Sequence, residues 1–192
     1  MNFGAASLAE LVHGLAAQDR GIRDDSAQEL YRRGCKLAEE VIATWRHDSE
    51  IGRLISEHAT VGIAVTPEHF AAIRSALGNP VLANVPPDQD AEEFEWSAGK
   101  DVHLDILTTR QPGGAGAIAR FLAKSGEGIQ QVEFLTPDVD RATEMLRSRL
   151  GVTPIYPAAR AGADGTRVNF FLASATNGKK VLIELVESAE KT

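Results

Sequence analysis

TVGIAVTPE at residues 60–68 and QVEFLTPD at residues 131–138 share one layout: a short apolar run, then Thr-Pro and an acidic residue. Downstream, GKDVHLDIL at 99–107 and GKKVLIELV at 178–186 agree again, each Gly-Lys pair leading into a strand-like run. Between these landmarks each copy carries one stretch of helical period, HFAAIRSAL at 69–77 and VDRATEMLRSRL at 139–150, followed by Gly78 and Gly151. Self-similarity on this scale marks a duplicated supersecondary unit. A Thr cap, Pro at the first helical position and an acidic residue next all suit the unsatisfied N–H groups of a helix start, so Thr66 and Thr136 are the predicted N-caps. Strands are predicted at 60–65, 92–97 and 102–108 with a weaker one near 81–84. In the second copy they fall at 131–135, 167–173 and 180–186, with a weaker one near 153–156. The expected fold is α+β: two paired βαβββ modules, each a curved sheet with a helix on its convex face, enclosing a cavity.

Upstream of the repeat the sequence reads as helix. Ser7 with Glu10 and Ser26 with Glu29 have capping-box spacing, and Leu30, Leu37, Val41 and Trp45 continue an apolar stripe to about His47. A short helix is expected over 49–55. The chain thus divides into a helical extension (1–57), a first module (58–110), a linker with a short helix from about Ala115 to Lys124 (111–128) and a second module (129–192). The arm is expected to pack on its own core or on a second copy in a homodimer.

With 192 residues and a net charge of −7, the chain lacks the clustered basic surface that supplies nucleic-acid affinity. A lone cysteine, Cys35, forms no intramolecular disulfide, the N-terminal residues lack the pattern of a secretory signal, and no apolar run approaches bilayer length. A cytoplasmic protein with a small-molecule partner, and neither nucleic acid nor membrane, is expected. One cysteine and five histidines argue against a thiolate zinc site. The glycines at 113–116 are not followed by Gly-Lys-Ser or Gly-Lys-Thr, so they do not read as a nucleotide cradle.

The segment GAIARFLAKSGEGIQQVEF at 116–134 resembles the vicinal oxygen chelate superfamily, in particular methylmalonyl-CoA epimerases and their glyoxalase I relatives. The resemblance extends to VGIAV at 61–65, PAARAGADGTRVNFFLA at 157–173 and VLIELVE at 181–187. It implies a divalent metal held by four side chains, one from the first and one from the last strand of each copy, at positions matching Thr60, Asp105, Gln131 and Glu184. The family places His or Gln, then Glu or Gln, then His, then Glu there, so both imidazoles are missing and no histidine follows His103. Two carboxylates and an amide oxygen would hold Mg²⁺, Mn²⁺, Co²⁺, Ni²⁺ or Zn²⁺ weakly or not at all. The Thr-Pro landmarks alternatively pair Thr60 with Gln130. His58 and His103 lie two residues from ligand positions and are potential substitutes; His13, His47 and His69 read as solvent-facing or packing residues.

The resemblance further implies proton transfer beside a carbonyl, of the epimerase or lactoylglutathione lyase type, on an acyl-CoA or a glutathione adduct. Glu184 is then the first catalytic candidate and Asp88, in VPPDQD at 85–90, the second. His103, Trp96, Phe171 and Arg160 are the expected pocket residues. A metal-free small-molecule binder of the resistance type and a structural module assembled through the arm are the alternatives.

Overall fold

The computed structural model describes residues 6–174 and 180–188. In chain order its elements are α1 (Leu8–Leu15), α2 (Arg20–Arg46), α3 (Ser49–Gly52), β1 (Ala59–Ala64), α4 (Pro67–Ala76), β2 (Glu92–Ser97), β3 (His103–Thr108), α5 (Ala117–Ser125), β4 (Gly128–Leu135), α6 (Val139–Leu150), β5 (Arg160–Ala161), β6 (Arg167–Ser174) and β7 (Lys180–Glu187). Two compact units emerge. One holds the residues up to Gly34 together with Thr60–Gln130, the other Cys35–Ala59 together with the described residues from Gln131 onward.

In the first unit α1 begins at the expected capping box: Ser7 accepts the Glu10 N–H, and the Glu10 carboxylate accepts the Ser7 N–H at 2.7 Å. Leu11, Val12 and Leu15 are fully buried, so this part of the arm packs on its own chain. Helix α2 starts well before Ser26, where a second capping box was expected. Asp19 caps it instead, accepting the Ile22 N–H at 3.0 Å. Ser26 is fully buried, and a Cβ on Gly14 would stand 2.0 Å from its Oγ, so close packing against α1 accounts for the serine.

Strand β3 lies between an antiparallel β2 and a parallel β1. Parallel neighbours require a crossover, which α4 and the segment after it provide. Thr66 caps α4 as expected, accepting the His69 N–H. The weak strand near 81–84 does not form. Ala83 N–H donates to the Glu93 carbonyl at 3.0 Å, but Pro80, Pro86 and Pro87 lack the donors a ladder needs, and the first module keeps three strands.

Gly34 permits a close approach, since a Cβ there would lie 2.4 Å from Val61 Cγ1 and 2.6 Å from Cγ2. Gly34→Ala gains about 1 kcal/mol of helix propensity. Because the obstructing methyls belong to a fully buried, β-branched strand residue, overpacking of about 1–3 kcal/mol is expected to win. A urea unfolding midpoint equal to or above that of the wild type would contradict this.

Glu127, between α5 and β4, fastens the start of α4. Its carboxylate accepts the Thr66 N–H at 2.7 Å and lies 2.7 Å from His69 Nδ1, while the His69 ring meets that of His13 edge-on with centroids 4.3 Å apart. His13 and His69 are therefore packed on each other, with His13 still exposed on its outer side. Partial burial pushes the Glu127 carboxyl up, but the hydrogen bonds from Thr66 and His69 outweigh it and hold the group below its ordinary value of 4.5. A depressed folded-state value contributes stability that is present above the unfolded value and lost as pH falls through the folded one. Stability is thus expected to decline on acidification below about pH 4.5, and less steeply in Glu127→Gln. Urea midpoints measured between roughly pH 6 and pH 3 check this; parallel curves for the two proteins would refute it.

In the second unit the strand order is β4-β7-β6-β5, with β7 parallel to β4 and the other pairs antiparallel. Helix α6 is capped by Asp138, which accepts the Arg141 N–H at 2.9 Å, and not by Thr136. Pro137 consequently precedes the cap, and Thr136 accepts the Asp138 N–H in a small turn. Gly151 ends the helix in the left-handed region, φ 65°. Arg149 near that end pairs with Asp48 and Glu50, each at 3.1 Å, fixing α3 to α6. The expected strand near 153–156 is absent. Pro154 lies within it and Pro157 follows it, Ile155 N–H reaches β6 at the Phe170 carbonyl (2.7 Å), and the two-residue β5 forms further on. The Gly178-Lys179 landmark lies outside the described residues. Among the described residues no helix is long and apolar enough to cross a membrane.

Candidate functional site

Each unit's sheet has one face committed to helices. In the first, Phe94 and Phe70 of α4 pack with ring centroids 5.1 Å apart, and Leu104 and Ile106 share the Phe94 face with no exposure. Strand alternation sends Asp105 to the opposite face, where its in-register neighbours are Glu95 on β2 and Gly62 on β1. Thr60 and His103 project from this face as well, one rung away, and His103 Nδ1 lies 3.0 Å from Ser97 Oγ. Asp105 is nevertheless buried, at 7% exposure.

In the second unit the helix-covered face holds Val132, Ile183, Leu185 and Phe171. Trp45 of α2 meets Phe171 edge-on at 5.5 Å, and Asn169 donates to Thr143 of α6 and to the Tyr156 carbonyl. Glu184 stands on the other face, 7% exposed, with Glu133 and Phe170 as its in-register neighbours on β4 and β6. Gln131, also buried, donates a side-chain N–H to the Glu184 carboxylate. A buried carboxylate that accepts a side-chain hydrogen bond is held in one orientation.

The registers also settle how the two copies correspond. Gly62 pairs with Asp105, and Glu133 with Glu184. Counting back two residues makes Thr60 equivalent to Gln131, and Gln130 falls on the helix-covered face. The Thr-Pro landmarks point to Gln130 because the second helix starts later relative to its strand, behind Asp138.

Other expected site residues are placed differently. Trp96 pairs with Leu104, which turns it toward the helix-covered face, and Phe171 is part of the second unit's core. Asp88 sits exposed in the turn at 87–89, and His58 is exposed just before β1. Arg160 lies on β5 with its guanidinium stacked over Tyr156. Phe170 is the aromatic residue beside Glu184, and strict alternation along β6 identifies it once the register of Glu184 is fixed.

The donor set does not fit a resident divalent ion of the kind the resemblance implies. Thr60 offers a neutral hydroxyl, Gln131 and Glu184 are hydrogen-bonded to each other, and among the described residues no three His, Cys, Asp or Glu side chains gather as a metal requires.

No family model matches the sequence, and no curated protein matches it. Solved structures do. A methylmalonyl-CoA epimerase from Mycobacterium tuberculosis is 33% identical with a TM-score of 0.57, over 72% of this chain and 89% of that one. A variant of the Streptomyces coelicolor methylmalonyl-CoA epimerase in complex with 2-nitronate-propionyl-CoA is 28% identical with a TM-score of 0.56, over 70% of this chain and 99% of the other. A methylmalonyl-CoA epimerase in complex with methylmalonyl-CoA and NH4+ is 27% identical with a TM-score of 0.53, over 71% and 96%.

Proposed function

Because the chain belongs to the vicinal oxygen chelate superfamily, alongside the methylmalonyl-CoA epimerases it matches, we propose that it moves a proton at the carbon next to the carbonyl of an acyl-CoA thioester, an epimerase-type isomerisation. The observation that carries this reading is Glu184: a buried carboxylate on the last strand of the second module, on the face turned away from the helices, held by Gln131 and flanked by Phe170. Such a group can take a proton from carbon when substrate excludes water, and a fixed orientation spares the cost of arranging it in the transition state. Glu184 is the proposed base. Gln131 positions it, and a solvent-derived donor returns a proton to the opposite face of the carbon.

In this reading no step passes through a metal ion, and the negative charge that develops on the thioester oxygen is met by a neutral hydrogen-bond donor, the second N–H of the Gln131 side-chain amide. The expectation follows that EDTA leaves turnover unchanged and that Mg²⁺, Mn²⁺, Co²⁺, Ni²⁺ and Zn²⁺ do not raise the melting temperature. A ligand that binds only the folded state must raise it, so a metal-specific increase would overturn the metal-free part of the proposal.

The reaction is tested by incubating the protein with one epimer of methylmalonyl-CoA in D₂O and following the proton on the carbon between the carboxylate and the thioester by NMR. Enzyme-dependent loss of that signal with appearance of the other epimer is expected. Saturable binding of the thioester without exchange would instead favour a second reading, a sequestering protein, which the absence of imidazole ligands already favours.

A further inference from the structure

Glu184 stands among apolar side chains that the proton-transfer chemistry does not use. On the face turned away from the helices Phe170 lies directly across from Glu184, Leu172 across from Leu182, and Val168 across from Val186. Strand alternation puts all six on one side of β6 and β7, as three successive rungs. The rungs differ in what covers them. Val168 and Val186 are buried, and the turn after β5 closes over Val168, since a Cβ on Gly162 would stand 2.7 Å from its Cγ1. At the other end Leu172 is 53% exposed and Leu182 is half-buried.

This open leucine pair is apolar surface continuous with the rung that holds the buried carboxylate, and covering it releases free energy in proportion to its area. Its limits are defined on each side. Toward β4, the pairing of Val132 with Ile183 places Gln131, which is bonded to Glu184, beside Leu182. Beyond the leucines the next rung is Ser174 and Lys180, both polar and exposed. Toward β5, the Phe170 ring is backed edge-on by Tyr156 with centroids 6.1 Å apart, and the Tyr156 carbonyl accepts a hydrogen bond from the fully buried Asn169. What remains is an apolar strip that begins at the ring across from the carboxylate and reaches the leucines about 7 Å further along, the rise of two strand residues.

We propose that Phe170, Leu172 and Leu182 form an alkyl-binding subsite, so that the acyl group this protein takes carries an aliphatic branch longer than methyl on its reacting carbon. A methyl branch reaches only Phe170, whereas a branch of about four carbons spans to the leucine pair one rung away. The three residues contribute no polar contact, so they select the acyl group and leave the proton transfer to others. The subsite rests on the reading that Glu184 marks the reacting carbon, but its test reads binding and does not need turnover.

Wild type, Leu172→Ala and Val81→Ala are titrated by calorimetry with methylmalonyl-, ethylmalonyl- and butylmalonyl-CoA. In the wild type each methylene added to the branch is expected to tighten binding about two- to fourfold, the value of burying one CH₂, with an increasingly negative heat-capacity change. Leu172→Ala is expected to weaken butylmalonyl-CoA about 5- to 20-fold and so to lose most of that gain. Because Leu172 is largely exposed, its truncation leaves the melting temperature within a few degrees of the wild type. Val81→Ala shortens an exposed apolar side chain of the first unit and is expected to keep the full wild-type series. Equal wild-type affinities for methylmalonyl- and butylmalonyl-CoA, an undiminished chain-length gain in Leu172→Ala, or no binding of any thioester would each overturn the subsite. Deuterium exchange into methylmalonyl-CoA without a chain-length gain removes the subsite and spares the epimerase reading. A gain that depends on Leu172, with no exchange into any of the three, spares the subsite and removes the epimerase reading.

Discussion

Glu184→Gln is expected to lower the rate of deuterium exchange into methylmalonyl-CoA by about 10²–10⁴-fold, the range general-base catalysis supplies, while leaving the thioester's affinity within a few-fold. The substitution keeps the volume of the side chain. Gln131, which donates to Glu184, can meet the new amide by donating to its carbonyl oxygen, so the buried pair retains a hydrogen bond. What disappears is the capacity to accept a proton from carbon. Asp105, the equivalent position of the first module and equally buried, is the control for a merely structural carboxylate. Asp105→Asn is expected to retain far more exchange than Glu184→Gln. Similar losses in both would show that the two acids share the chemistry, and an active Glu184→Gln would eliminate Glu184 as the base.

Phe171→Ala is expected to destabilise the protein by about 3–5 kcal/mol, the usual cost of deleting a fully buried phenylalanine. Phe171 has no exposure, and its ring contacts Trp45 edge-on, so truncation forfeits transfer energy and an aromatic pair and leaves a cavity between β6 and α2. In a chain of this size that corresponds to a drop in melting temperature of roughly 10 °C or more. Its neighbour Phe170, half-buried on the opposite face, is expected to behave in the reverse way. Phe170→Ala lowers the melting temperature by only a few degrees yet weakens thioester binding. Thermal melts with and without methylmalonyl-CoA separate the two. A ligand-specific defect in Phe171→Ala, with little change in stability, would mean the register of β6 is shifted by one residue.

Much of this architecture is readable from the chain. The six principal strands follow from the repeat, because a half-buried strand imposes an alternation that each copy displays and the shared landmarks fix the order. Helix starts are less legible. Ser26 and Glu29 imitate a cap, yet the serine is used for tight packing against Gly14, a tertiary cause that spacing does not reveal. The short runs at 81–84 and 153–156 contain β-formers, but prolines within or beside them withhold the donors a ladder needs. Within the site, Glu184 and Gln131 are singled out by the family resemblance, and the structure shows them buried and hydrogen-bonded to each other. Strand alternation favours Gln131 over Gln130 and the pairing registers agree, whereas the choice between Phe170 and Phe171 required the pairing partner of Glu184.

The interleaving of the two units has a consequence for biosynthesis. Neither is a continuous stretch of chain, and Trp45 is translated long before Phe171, its partner in the second unit. At ordinary elongation speeds the delay is on the order of ten seconds. For that interval the rear portion of α2 leaves the ribosome as a nascent amphipathic helix whose indole face is bare, and that exposed stripe is where a holding chaperone would engage the growing polypeptide.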